Sequence, residues 1–96
     1  WEERKNQTIE YLKTAPIDVC VIVCADKIDN FRFTRRVYEK IGDEVWLRFN
    51  RGKEQQKWYF QSIVKILKKR LTSSSSKLLV KELEKEVNFV FKNNRK

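Results

Sequence analysis

Pro16-Ile17-Asp18-Val19-Cys20-Val21-Ile22-Val23-Cys24-Ala25-Asp26-Lys27-Ile28-Asp29-Asn30 is the stretch on which the fold turns. Its apolar run, residues 19–25, is rich in β-branched side chains and reads locally as a buried strand. Three features outweigh that propensity. Pro16 and Asp18 form a helix-start signal. Apolar residues recur at helical spacing through Ile22, Ala25, Ile28 and Phe33, with Val37 and Ile41 further on. Gly42 then supplies a stop signal. One long helix over residues 17–41 is predicted. Its first half is apolar nearly all round, which predicts a central, buried position.

Working outward, residues 2–14 form a helix, with Ile9, Leu12 and Ala15 as its apolar positions. After Gly42, Asp43 caps a short helix whose contacts are Val45, Trp46, Leu47 and Phe49. Asn50-Arg51-Gly52 is a turn. Phe60, Ile63, Val64, Leu67 and Leu71 mark an amphipathic helix from Lys53 to Leu71. Ser73–Ser76 breaks the pattern and offers N-caps. Leu79, Leu83, Val87 and Val90 then carry a last helix to Phe91, before a polar tail from Lys92 to Lys96. The fold class is all-α, with four or five helices. Two units are expected: residues 1–71 and a terminal amphipathic helix with its tail, 72–96.

Composition narrows the function. The 96 residues include two glycines and one proline, too few for a turn-rich β-sandwich or barrel. Histidine is absent, which removes His-based triads and the usual zinc and iron ligand sets. Two cysteines make no disulfide framework. Cys20 and Cys24, at i and i+4, read as buried free thiols rather than a metal or redox pair, and place the chain in the cytoplasm. No stretch approaches the ~20 apolar residues of a membrane span, so no membrane partner is expected.

The net charge is +9. Residues 1–50 hold nine basic and nine acidic residues; residues 51–96 hold thirteen and four. Solvated faces on Lys-rich helices account for this; a nucleic-acid or acidic partner is the alternative. Trp46, Phe49, Trp58, Tyr59 and Phe60 interleave with Arg48, Arg51, Lys53 and Lys57. On helices these aromatics read as core; stacking on single-stranded nucleic acid is the other option.

Asp26 is the unusual residue. A carboxylate following an apolar run inside a buried helix costs several kcal/mol unless compensated. A divalent cation such as Mg²⁺ or Mn²⁺ is one compensation, and a salt bridge to an Arg or Lys of another helix is the other. Asn30 lies at i+4, so both side chains point into the same space.

The segment Ala25-Asp26-Lys27-Ile28-Asp29-Asn30-Phe31-Arg32 resembles the A-D-[KR]-L-x-N-[LM]-R motif of HD-domain phosphohydrolases, in the branch related to RelA/SpoT-type ppGpp hydrolases. Trp1-Glu2-Glu3-Arg4-Lys5 with Thr8-Ile9-Glu10-Tyr11-Leu12-Lys13 resembles the W-x-x-R-K…T-I-x-x-L-K stretch of such proteins. Asp43–Gly52 and Gln56-Lys57-Trp58-Tyr59 resemble the W-x-R-F-N-R…W-Y stretch that follows, so the similarity covers about residues 1–71. The resemblance implies the C-terminal part of an HD-type helical domain. It implies that Asp26 is one ligand of a divalent metal (Mn²⁺ or Mg²⁺), that Asn30 lines the substrate pocket, and that Lys27 occupies a basic position there. The substrate it implies is a nucleotide such as ppGpp.

The histidine ligands of the family are not in this sequence. The chain also contains no methionine and opens on Trp1, and it is read as a piece of a longer protein. Alone it is expected to be catalytically inactive and to bind no metal tightly. Association between copies, through faces that upstream helices would cover, is expected as well. The hydrolase reading requires Asp26 on a helix, beside Asn30, opening toward the absent half; a carboxylate turned out into solvent, or residues 19–25 pleated into a sheet, would overturn it.

Overall fold

The computed structural model describes residues 1–49 and 51–92. They form four α-helices: α1 (Glu2–Thr14), α2 (Ile17–Ile41), α3 (Lys53–Arg70) and α4 (Ser74–Lys92). A 3-10 segment, Gly42–Arg48, joins α2 to the loop before α3. Among the described residues there is no strand, and the fold is all-α. Asn50 of the expected turn and residues 93–96 of the polar tail lie outside the described residues.

Local chemistry sets the boundaries. Ala15 takes an extended conformation (φ −64°, ψ 153°), as the residue before a proline prefers, and α1 ends there. Pro16 opens α2, its carbonyl accepting the Cys20 N–H at 3.1 Å. Gly42 ends α2 at φ +65°, a conformation that glycine adopts without a Cβ penalty. Ser73 caps α4: its Oγ accepts the Ser76 N–H at 3.3 Å.

α4 lies along both α2 and α3, α1 packs on α3, and the 3-10 segment packs on α2. Phe31 of α2 sits at the centre with no exposed surface. Its ring meets Phe60 edge-on at 4.5 Å and Phe91 at 5.7 Å. Trp46 stacks on Phe91 at 5.1 Å. The expected apolar positions of α1 (Ile9, Leu12, Ala15) and of α3 (Ile63, Val64, Leu67, with Leu71 just beyond its end) are buried. Leu83, Val87 and Val90 of α4 are buried too, while Leu79 is half-buried. α4 therefore belongs to the same core as α2 and α3. A charged clamp reinforces it: Arg32 reaches Glu82 at 3.0 Å and Arg35 reaches the buried Glu86 at 3.1 Å. The Arg35 guanidinium also lies 4.0 Å above the Phe89 ring.

Two expectations need correction. α2 is not buried all round. The molecule is 19 Å thick along its shortest axis, about two helix layers, so one side of every helix faces out. The buried stripe is Cys20, Cys24, Ile28, Phe31 and Thr34. Ile22 (67% exposed), Phe33 (62%) and Ala25 are on the outside. Where a helix is apolar on every side, hydrophobicity cannot say which side turns inward. The segment after Gly42 is a 3-10 helix, and Asp43 does not cap it. Its carboxylate instead accepts the Trp46 indole N–H at 3.2 Å and lies 3.5 Å from the Lys53 ammonium. Val45 and Trp46 are buried as expected, but Leu47 is 84% exposed.

Arg70 holds the end of α1 in place. Its guanidinium donates to the carbonyls of Leu12 and Ala15, each at 2.7 Å. Those carbonyls are among the last of α1, which have no partner within the helix. Arg70→Ala is expected to lower the unfolding free energy by about 2–4 kcal/mol, since charge-assisted bonds to partly buried acceptors are lost. Urea unfolding checks this, and Arg70→Lys should recover less than half because one ammonium cannot span both carbonyls.

Candidate functional site

Asp26, Lys27 and Asn30 lie on successive turns near the middle of α2. Asp26 and Asn30 are on the same side, with the Asn30 amide donating to the Asp26 carboxylate at 3.4 Å. That alignment follows from the i, i+4 spacing. The environment differs from expectation: Asp26 is exposed, not embedded among apolar side chains. The cost of a buried charge, which motivated a cation at this point, is therefore absent within this chain. No salt bridge to Asp26 takes the place of one among the described residues.

Exposed apolar side chains share that face of α2. Ile22 stands one turn before Asp26, Ala25 beside it, and Phe33 one turn after Asp29. Asp18, Asp26 and Asp29 add three acidic residues to it, so an acidic, partly apolar strip runs along an otherwise basic protein.

Next to this strip is a cleft of about 540 Å³, within the range of small-molecule sites. Asn30 and Lys27 reach into it from α2, Lys5 from α1, Arg48 from the 3-10 segment and Tyr59 from α3. Trp1 lines it too, its ring 6.3 Å from Tyr59 and edge-on to it. The cleft thus carries three cations and no carboxylate among its lining residues. The Lys5 ammonium lies 4.5 Å from the Tyr59 ring centroid and the Lys27 ammonium 5.5 Å from the same ring. Partial burial, together with the neighbouring charges of Lys27 and Arg4, holds the Lys5 pKa below its ordinary value.

Two of the three predicted site residues, Lys27 and Asn30, therefore line one cleft; Asp26 is not among its lining residues and meets it only through its bond to Asn30. Sequence reasoning gave no role in this cleft to Lys5, Arg48 or Trp1; Tyr59, read as core, is buried as expected and also lines the cleft. Trp1 and Lys5 at i, i+4 on α1 were a visible pair, but their convergence with Tyr59 depends on α1 packing against α3.

Asp26 and the Asn30 amide oxygen are hard oxygen donors suited to Mn²⁺ or Mg²⁺. Among the described residues, no three Cys, Asp or Glu side chains converge as a ligand set. The donors present fit one corner of a metal site. No family model, curated protein or solved structure matches this chain. No helix among the described residues is long and apolar enough to cross a membrane.

Cys20 and Cys24 are both free and fully buried, in the core rather than in the cleft. Burial pushes the Cys24 thiol up to about 11 from 9.0. Between those values the unfolded chain has released the Cys24 proton and the folded chain has not, so folding stability falls as pH rises through that window. The expected loss is on the order of 2 kcal/mol. Urea unfolding at a series of alkaline pH values reads it, and Cys24→Ala should flatten that part of the profile.

Proposed function

We propose that this chain is part of a metal-dependent phosphohydrolase of the HD superfamily, from the branch that hydrolyses nucleotide polyphosphates such as ppGpp. Asp26 supplies one metal ligand; Asn30 and Lys27 contact the substrate. The observation that carries this is the aligned Asp26–Asn30 pair, whose Asn30 lines a cleft with Lys5, Lys27 and Arg48 that has no carboxylate among its lining residues. Asp26 is exposed in this chain, which taken alone runs against the reading; Ile22, Ala25 and Phe33, exposed beside it, form a face that companion helices bearing the histidine ligands would cover, and there the carboxylate would be enclosed. A bound divalent metal would supply Lewis acidity and a low-pKa water.

The chain's own residues do the rest of the work in this scheme. The Asn30 amide, partly held by its bond to Asp26, offers one donor and one acceptor to the substrate. The Lys27 ammonium neutralises phosphate charge. Phe33 and Tyr59 give the cleft apolar walls against a base or ribose. A cytoplasmic location accompanies the proposal, given two reduced, buried thiols.

Turnover of ppGpp by a polypeptide that includes the upstream segment, with Mn²⁺ present, tests the proposal. Release of pyrophosphate is expected. Absence of an H…HD ligand pattern upstream, or no release with that pattern intact, would sink it.

A second reading is a non-catalytic helical module binding nucleic acid or an acidic protein. The exposed Lys65, Lys68 and Lys69 of α3 and Lys77, Lys81 and Lys85 of α4 favour it. It requires salt-dependent binding of an oligonucleotide by this chain.

A further inference from the structure

We propose that Lys5 and Lys27, converging on the ring of Tyr59, form a seat for a phosphate-type oxyanion that this chain holds without any metal. The inference deepens the assignment of Lys27 as a substrate residue and adds Lys5, which no sequence motif had given a role.

Both ammonium groups stand within 5.5 Å of the centroid of one ring. Lys5 is also 5.5 Å from the Trp1 centroid. The π faces attract these cations but do not neutralise them. Among the described residues neither lysine has a carboxylate partner, whereas Lys13, Lys53 and Lys68 each do. Two like charges are thus held together in a partly buried cleft, and Arg48 adds a third on the lining. Like charges brought together away from water repel each other. The lowered pKa of Lys5 follows first from its burial and then from the neighbouring Lys27 charge. An oxyanion between them would offset the repulsion and satisfy ammonium donors that have no protein acceptor among the hydrogen bonds of the described residues. Phosphate and diphosphate groups carry enough charge and enough oxygens to engage both lysines, which a single carboxylate does less well.

The 96-residue chain itself is the material for the test. At low ionic strength it is titrated with inorganic phosphate, pyrophosphate and guanosine diphosphate in turn, with no divalent metal. Amide and lysine side-chain NMR shifts, with tryptophan fluorescence, are the readouts. Saturable binding of pyrophosphate is expected, with shifts centred on residues 5, 27 and 59. Lys5→Gln and Lys27→Gln should each weaken it roughly fivefold, as expected for one partly screened charge pair. Lys65→Gln, on the exposed face of α3, should not.

Tighter binding of guanosine diphosphate than of pyrophosphate would make the source a nucleotide. Equal binding would make it the diphosphate group alone; both outcomes support the seat. Shifts spread over the basic face of α3 and α4, an equal loss with Lys65→Gln, or no saturable binding would overturn it. If Lys5→Gln fails to fold, the shift map of the unaltered chain and the Lys27→Gln variant still decide. Because no hydrolysis is measured, failure here leaves the metal-ligand role of Asp26 standing, and loss of that role leaves the anion seat standing.

Discussion

Asp26→Ala should lower turnover roughly a thousandfold or more in a polypeptide that carries the upstream ligand helices, while leaving the stability of the 96-residue chain nearly untouched. The first part follows from the proposed chemistry. A metal that polarises a phosphate ester contributes several kcal/mol to transition-state stabilisation, and each 1.36 kcal/mol is a factor of ten in rate. The second part follows from the geometry. The Asp26 side chain is exposed, and the hydrogen bond it accepts from Asn30 is long at 3.4 Å. Alanine is the better helix former at a mid-helix position, by about 0.5 kcal/mol. Unfolding free energy should therefore stay within ~0.5 kcal/mol of the parent, or rise slightly. Steady-state pyrophosphate release by the longer polypeptide and urea unfolding of the 96-residue chain read the two halves. Retained turnover would remove Asp26 from the metal site. Lost turnover with lost stability would point to a structural role that the exposed position does not support.

Phe31→Ala should produce the opposite pattern, a large loss of stability. Phe31 is fully buried where α2, α3 and α4 meet, with Phe60 and Phe91 against its ring. Truncating a buried phenylalanine costs about 3–5 kcal/mol through lost transfer energy and the cavity left behind. A domain of this size has only about 5–15 kcal/mol in all. At roughly 4–8 °C per kcal/mol, the melting temperature should fall by tens of degrees. Phe31→Leu should cost much less, because most of the volume remains. A loss under about 1 kcal/mol for Phe31→Ala would mean that the three-helix junction is not packed as described. Phe31 adjoins Asn30 in sequence, so the same substitution should also blur the register that presents Asn30 to the cleft.

Much of this architecture was legible because helix punctuation is local. Pro16, Gly42 and Ser73 mark boundaries through their own backbone or side-chain chemistry, and the helices begin or end at them. The apolar spacing of α1, α3 and α4 also named most of the buried residues. Reading failed where the signal is non-local. In the first half of α2 nearly every side chain is apolar, so the inward stripe was decided by which neighbours exist, and the small thiols of Cys20 and Cys24 went inside while Ile22 went out. The role of Asp43 was missed because its competing partners, Trp46 and Lys53, are fixed only once the 3-10 segment forms. Asp26 and Asn30 could be paired by helical arithmetic alone. Lys5 could not join them on paper, since its meeting with Tyr59 rests on contacts between α1 and α3.

Trp46 and Phe31 lean on Phe91, near the far end of the chain, and that contact decides where a boundary can be drawn. The stretch on which the proposed function rests stops near Leu71, yet its hydrophobic interior is roofed by α4. A polypeptide trimmed at that point would keep every motif and lose its ceiling. What looks separable on the page shares one buried core.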